Sequence, residues 1–130
     1  MKKGKKTIEV NGYFSDDGKF FASEDQCKEH EAECLFYKIS DKVFDDSFHK
    51  KCCIDDITYF APENKEDIQT FLKVHERYEY DTEGISLDSP VSIYKYDDYN
   101  GNYVDMIQQC KELITEINSV VPNTIPENIF

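Results

Sequence analysis

Hydrophobic positions in this 130-residue chain alternate with polar ones in several short runs, and between those runs they recur at helical spacing. Thr7 to Phe14 alternates and is rich in β-branched and aromatic residues. Ser15-Asp16-Asp17-Gly18-Lys19 then supplies an Asp-Gly turn, and Lys19 to Ala22 is aromatic again. This pattern predicts a β-hairpin with a short second strand. Ser23 stands three residues before Gln26, the capping-box spacing, with Glu24 and Asp25 where the helix dipole favours acid. A helix is therefore expected from about Glu24 to Lys38.

Residues Ile39 to Lys51 hold no sustained period and read as a loop with a short strand or turn near Val43 and Phe44. Ile54 to Ala61 alternates around Ile57, Tyr59 and Phe60 as a strand that ends at Pro62. Asn64 is placed to cap a helix over Lys65 to Tyr78, where Ile68, Phe71, Leu72 and His75 share one face. A polar loop from Glu79 to Pro90 leads to a strand at Val91 to Tyr96 and an Asn-Gly turn at Asp97 to Gly101. The last helix is expected from about Asn102 to Val120, with Tyr103, Ile107, Cys110, Ile114, Ile117 and Val121 spaced 4, 3, 4, 3, 4. That seam is too short for an autonomous coiled coil, so it predicts a helix packed on a sheet. Ile68, Phe71, Leu72, Ile107, Cys110, Ile114 and Ile117 are accordingly expected in the core.

These elements add up to an α+β fold: a small antiparallel sheet built from hairpin and strand-turn-helix units, with three helices packed on it. The stretches Phe14 to Glu29 and Tyr96 to Glu112 repeat one order, an aromatic strand end, an Asp-Asp and glycine turn, then Gln-Cys-Lys-Glu. The spacing matches no solenoid repeat. A single domain over residues 7–121 is expected, between a basic leader at 1–6 and an extended tail at 122–130 whose Ile125, Ile129 and Phe130 can dock on the body.

Charge narrows the function classes. The chain carries 27 Asp and Glu against 15 Lys and Arg, net −12, and four of the lysines lie within the first six positions. Beyond them eleven basic residues face 27 acidic ones, so the body carries −16. Such a field repels nucleic acid and anionic membrane and steers the protein toward basic surfaces. Nine Phe and nine Tyr are too many for a disordered acidic chain. There is no apolar run of membrane-spanning length or signal-peptide h-region, and five cysteines do not form an even disulfide framework. A cytoplasmic setting follows.

The stretch Gly12 to Glu31, with its aromatic strand, Asp-Gly-Lys turn, aromatic pair and Cys-x-x-x-Glu helix, resembles small uncharacterised accessory proteins of tailed bacteriophages and prophages. Thr58 to Leu72 and Ile93 to Val104 look like the strand-helix units that often follow. The resemblance covers about half the chain, implies a viral origin and a host protein as target, including defence systems, and carries over no catalytic residue.

Candidate chemistry is weighed against that background. Cys27, His30 and Cys34 fall on one helix face, with His49, Cys52 and Cys53 in the next loop, but three ligands on one helix are unlike the usual zinc knuckle. The expectation is no bound metal or cofactor. Gly-rich phosphate loops and nucleophile signatures are missing, so the chain does not read as an enzyme. The acidic doublets suit turn formation individually, and collectively they suit a partner surface. Asp45, Asp46, Asp55, Asp56, Asp97, Asp98 and Tyr99 are therefore the expected partner-binding residues, and the expected partner is a basic host protein, such as a nucleic-acid-binding defence component. The alternative is a small-ligand or nucleotide-binding module with an aromatic pocket, oligomeric or not.

Overall fold

A computed structural model describes residues 1–5, 9–51 and 53–126 of the chain. It contains three hairpin-helix units in succession: β1 (Tyr13–Phe14), β2 (Phe20–Phe21) and α1 (Glu24–Ile39); β3 (Val43–Phe44), β4 (Tyr59–Phe60) and α2 (Lys65–Arg77); β5 (Tyr94–Asp97), β6 (Asn102–Asp105) and α3 (Met106–Val120). The α+β class read from the sequence is therefore the observed one. Its strands form two sheets, a separate β1-β2 hairpin and a four-stranded antiparallel sheet in the order β3-β4-β5-β6.

Each helix begins where its capping residue places it. Ser23 accepts from the Gln26 backbone N–H, Asn64 from Asp67 and Asp105 from Gln108. At α2 the cap is reinforced, since the Asp67 carboxylate also accepts from the Glu63 backbone N–H at 2.9 Å and from Lys42 Nζ at 3.0 Å. This nearly buried ion pair ties the start of α2 to the segment entering β3. The Lys42 ammonium is held above its ordinary pKa, chiefly by that hydrogen bond.

The core lies between α1, α2 and the larger sheet. Val43, Phe60, Ile68, Phe71 and Val74 are fully buried, joined by Phe36, Ile39, Tyr94 and Tyr103. Phe60 of the sheet stacks on Phe71 of α2 with ring centroids 4.0 Å apart, and Tyr103 meets Phe71 edge-on at 5.5 Å. The edge strand β6 is covered by the preceding loop, where Tyr103 N–H donates to the Glu83 carbonyl at 2.6 Å. Gly84 permits that approach. Its φ is +96°, and a Cβ there would lie 2.0 Å from the Tyr103 carbonyl oxygen.

Several expectations change. The first strand pair is shorter than Thr7 to Ala22 suggests, while Thr7 and Ile8 lie outside the described residues. The last helix starts at Met106 rather than Asn102, because the Asn-Gly turn folds Asn102–Asp105 back on β5 with Tyr103 opposite Tyr96. Tyr103 thus leaves the helical seam for the sheet. Consequently the expected core of α3 is not assembled: all its residues are described and none is buried, with Ile107, Ile114 and Ile117 half-buried and Cys110 exposed. Leu72 is also half-buried, at the margin of the core.

The 121–126 segment is not extended throughout. Asn123 has φ +63°, and Asn118 of α3 clasps Ile125 through both its amide atoms. Ile129 and Phe130 lie outside the described residues. Because Ile68 is sealed and Ile114 is not, Ile68→Ala should cost about 2–5 kcal/mol and Ile114→Ala about 1 kcal/mol or less in the monomer, as measured by urea unfolding at low protein concentration.

Candidate functional site: an acidic cleft

The cleft is assembled at the C-terminal end of α2. That helix stops in a Schellman-type turn, with Glu79 N–H donating to the Glu76 carbonyl, Tyr80 N–H to the His75 carbonyl, and Glu79 itself at φ +57°. The turn projects Tyr80 and Asp81 back toward the sheet. Opposite them stand the turn after β3, carrying Asp45 and Asp46, and the 54–58 segment before β4, carrying Asp55 and Asp56. Tyr96 and Asp98 come from β5 and its turn, and Tyr103 from β6. Together these enclose a surface cleft of about 640 Å³.

Its floor is aromatic and its walls are acidic. His75, Tyr103 and Tyr96 connect it to the core: His75 packs on Phe71 at 3.8 Å between centroids, and Tyr96 on Tyr103 at 5.0 Å. Six carboxylates, from Asp45, Asp46, Asp55, Asp56, Asp81 and Asp98, line the walls. The α2 C-terminus adds the negative end of a helix dipole to the same space.

The carboxylates are not equivalent. Asp45 organises its own turn, its Oδ1 accepting from the Ser47 and His49 backbone N–H groups at 2.9 Å each. Those bonds, the His49 one foremost, lower its pKa against the effect of burial. Asp55 accepts from the Tyr80 hydroxyl at 2.7 Å, which braces the two sides of the cleft and raises the Tyr80 pKa. Asp56 adopts φ +57°, a conformation in which Asp is among the better-tolerated residues.

Of the seven residues read from the sequence as partner-binding, five converge here: Asp45, Asp46, Asp55, Asp56 and Asp98. Asp97 and Tyr99 do not line this cleft. Asp97 closes the β5-β6 turn by accepting from the Asn100 side chain at 2.7 Å and from the Tyr99 and Asn100 backbone N–H groups, with its pKa lowered mainly by the Asn100 amide. Tyr99 is fully exposed at the turn tip. His75, Tyr80 and Asp81 were not among the expected binding residues, since they meet the doublets only through the turn that ends α2.

The cysteine and histidine candidates separate as well. Cys27 is buried, its thiol pushed up first by burial and then by Glu31, Asp16, Asp17 and Glu24. His49 and Cys53 are exposed, and Cys52 lies outside the described residues. His30 and Cys34 instead meet Asp17 from the first hairpin, with His30 Nε2 donating to Asp17 Oδ2 at 2.8 Å. The hydrogen bonds from Ser15 and then His30 lower the Asp17 pKa to about 2.

Burial lowers the His75 pKa from 6.5 to about 4, although its Nδ1–H donates to the Phe71 carbonyl at 2.9 Å. His75 is thus neutral at pH 7, with its proton on Nδ1 and Nε2 unprotonated. Because the folded-state pKa lies below the unfolded one, the stability tied to this group is fully present above about pH 6.5 and declines as pH falls toward 4. Urea unfolding at pH 7 and pH 5 should show a loss that is about 2 kcal/mol smaller in His75→Gln than in the parent protein. No family model matches the chain, and no curated protein or solved structure is significantly similar to it.

Proposed function

We propose that the protein is a binding module whose acidic cleft receives Lys or Arg side chains from a basic protein partner. The observation that carries this reading is the arrangement of six carboxylates around an aromatic floor in one cleft. A guanidinium or ammonium entering it meets opposite charge on the walls and the electron-rich faces of Tyr96 and Tyr103 below. The same walls repel the phosphates of a nucleotide, which disfavours the nucleotide-binding alternative. A cleft of this volume falls within the ordinary range of ligand sites, about 300–1,000 Å³.

The resemblance to phage accessory proteins makes a host protein the natural partner. A surface lined with Lys and Arg for nucleic acid presents the required chemistry, and the carboxylates would occupy positions otherwise taken by phosphates. Steric occlusion of such a groove would inhibit the host protein without any chemical step. The −16 body charge supports fast encounter with it.

A tetra-arginine peptide tests the reading by calorimetry at low and physiological salt. Asp46→Asn, Asp56→Asn and Asp98→Asn combined should weaken binding by about tenfold or more, while Glu66→Gln, Glu112→Gln and Glu116→Gln, an equal change of charge outside the cleft, should alter it by no more than about twofold. Affinity should also fall as salt rises. Equal losses in both variants, or salt-independent binding, would remove the cleft from the mechanism. Tight binding of ATP in place of the peptide would favour the nucleotide reading.

A further inference from the structure

The first hairpin-helix unit brings together three side chains from different elements. Asp17 lies in the β1-β2 turn, and His30 and Cys34 lie one turn apart on α1. Their ligand atoms converge: His30 Nε2 is 2.8 Å from Asp17 Oδ2, Cys34 Sγ is 3.5 Å from the same nitrogen, and Cys34 Sγ is 4.0 Å from the same oxygen. We propose that Asp17, His30 and Cys34 form a binding site for a zinc ion, with its fourth coordination position open to solvent.

The geometry favours a metal over the other uses of this trio. In a nucleophilic relay the acid and the thiol address opposite nitrogens of the imidazole, so that one nitrogen is fixed while the other takes the thiol proton. Here both neighbours meet Nε2. With its proton committed to Asp17, that nitrogen has no lone pair for the thiol. Three donors gathered around one point suit a cation placed between them.

The dimensions suit zinc. Tetrahedral coordination at ordinary Zn–N, Zn–O and Zn–S lengths sets donor separations of about 3.3 Å for N···O and about 3.6 Å for the pairs involving sulfur. The observed triangle of 2.8, 3.5 and 4.0 Å needs shifts of about half an ångström, chiefly opening of the His30–Asp17 hydrogen bond. Nitrogen, sulfur and oxygen donors together match a borderline-soft ion, whereas calcium and magnesium require oxygen. Three protein ligands with one vacant position follow the arrangement of open zinc sites.

The surroundings hold the ligands in place. Ser15 is buried, and its hydroxyl donates to Asp17 Oδ1, which turns Oδ2 toward His30. Phe21 packs against the His30 ring at 5.1 Å between centroids. On zinc binding the Cys34 thiol proton passes to solvent and the His30 imidazole takes the Nδ1–H tautomer, which frees the Nε2 lone pair, so that the ligands are a neutral imidazole and a thiolate. The sequence predicts no metal because three Cys and His ligands on one helix are unlike a zinc knuckle, whereas Asp17, thirteen residues before His30, comes from the β1-β2 turn.

The test is titration of the full chain with Co²⁺ as spectroscopic probe and with Zn²⁺ against a chromophoric chelator. The expected result is one Co²⁺ per chain with a sulfur-to-cobalt charge-transfer band and tetrahedral visible bands, displaced by one equivalent of Zn²⁺. Asp17→Asn, His30→Gln and Cys34→Ala should each weaken Zn²⁺ binding by about a hundredfold or more, and Ser15→Ala by about tenfold. Cys27→Ala and His49→Ala should leave it unchanged, and circular dichroism should show all variants folded. Absence of a one-to-one complex, a charge-transfer band that survives Cys34→Ala, or equal loss in Cys27→Ala would overturn the assignment and leave a surface ion pair beside a free thiol.

Discussion

The stack of Phe60 on Phe71 is the contact on which the rest of the molecule depends. Among the described residues it is the closest face-to-face aromatic pair in the core, and it joins the sheet to α2. Strands β3 and β4 contribute only two residues each, so their ladder is too short to be stable alone and needs an apolar face to rest on. Phe71 also carries His75 and Tyr103, which places the floor of the acidic cleft in direct contact with the core. A substitution that loosened this stack would disturb fold and cleft together.

Acidic side chains serve two physical roles, and position separates them. Asp67, Asp97 and Asp105 accept backbone hydrogen bonds at helix starts and turns, where a carboxylate satisfies N–H groups that would otherwise lack partners. Asp46, Asp56 and Asp98 stand around the cleft in a region that concentrates negative charge. Their mutual repulsion opposes folding, and the cationic partner proposed above would relieve it, which would link stability to binding by mass action. Surface ion pairs such as Lys28 with Glu24 contribute little to this balance.

The three hairpin-helix units are alike in order and different in packing. In the first, the hairpin leans on α1 and brings Asp17 to His30 and Cys34. In the second, helix and strands build the core. In the third, β5 and β6 complete the sheet while α3 leaves it, beginning at the Met106 N–H that donates to the Ile93 carbonyl and ending in the clasp of Asn118 on Ile125. One local pattern thus yields a ligand cluster, a core and a largely solvated helix according to what lies beside it.

Local order was legible from the sequence because it is set by residues close in the chain. Ser23 and Asn64 cap the helices they were expected to cap, the Asn-Gly turn closes a hairpin, and the Ile68 and Phe71 stripe is buried. The acidic excess was equally plain, and five of the seven expected residues meet in one cleft. Tertiary structure alone decided the rest. Whether the α3 seam is covered depends on the angle at which β6 releases it, and the 4-3 spacing is the same in a buried helix and a solvated one. The cleft needed the turn at Glu79 to bring His75, Tyr80 and Asp81 to the doublets, and the Asp17–His30–Cys34 cluster needed a hairpin folded onto a helix. Periodicity records which face of an element is apolar; only the packing of elements fixes what that face, or a charged side chain beside it, will meet.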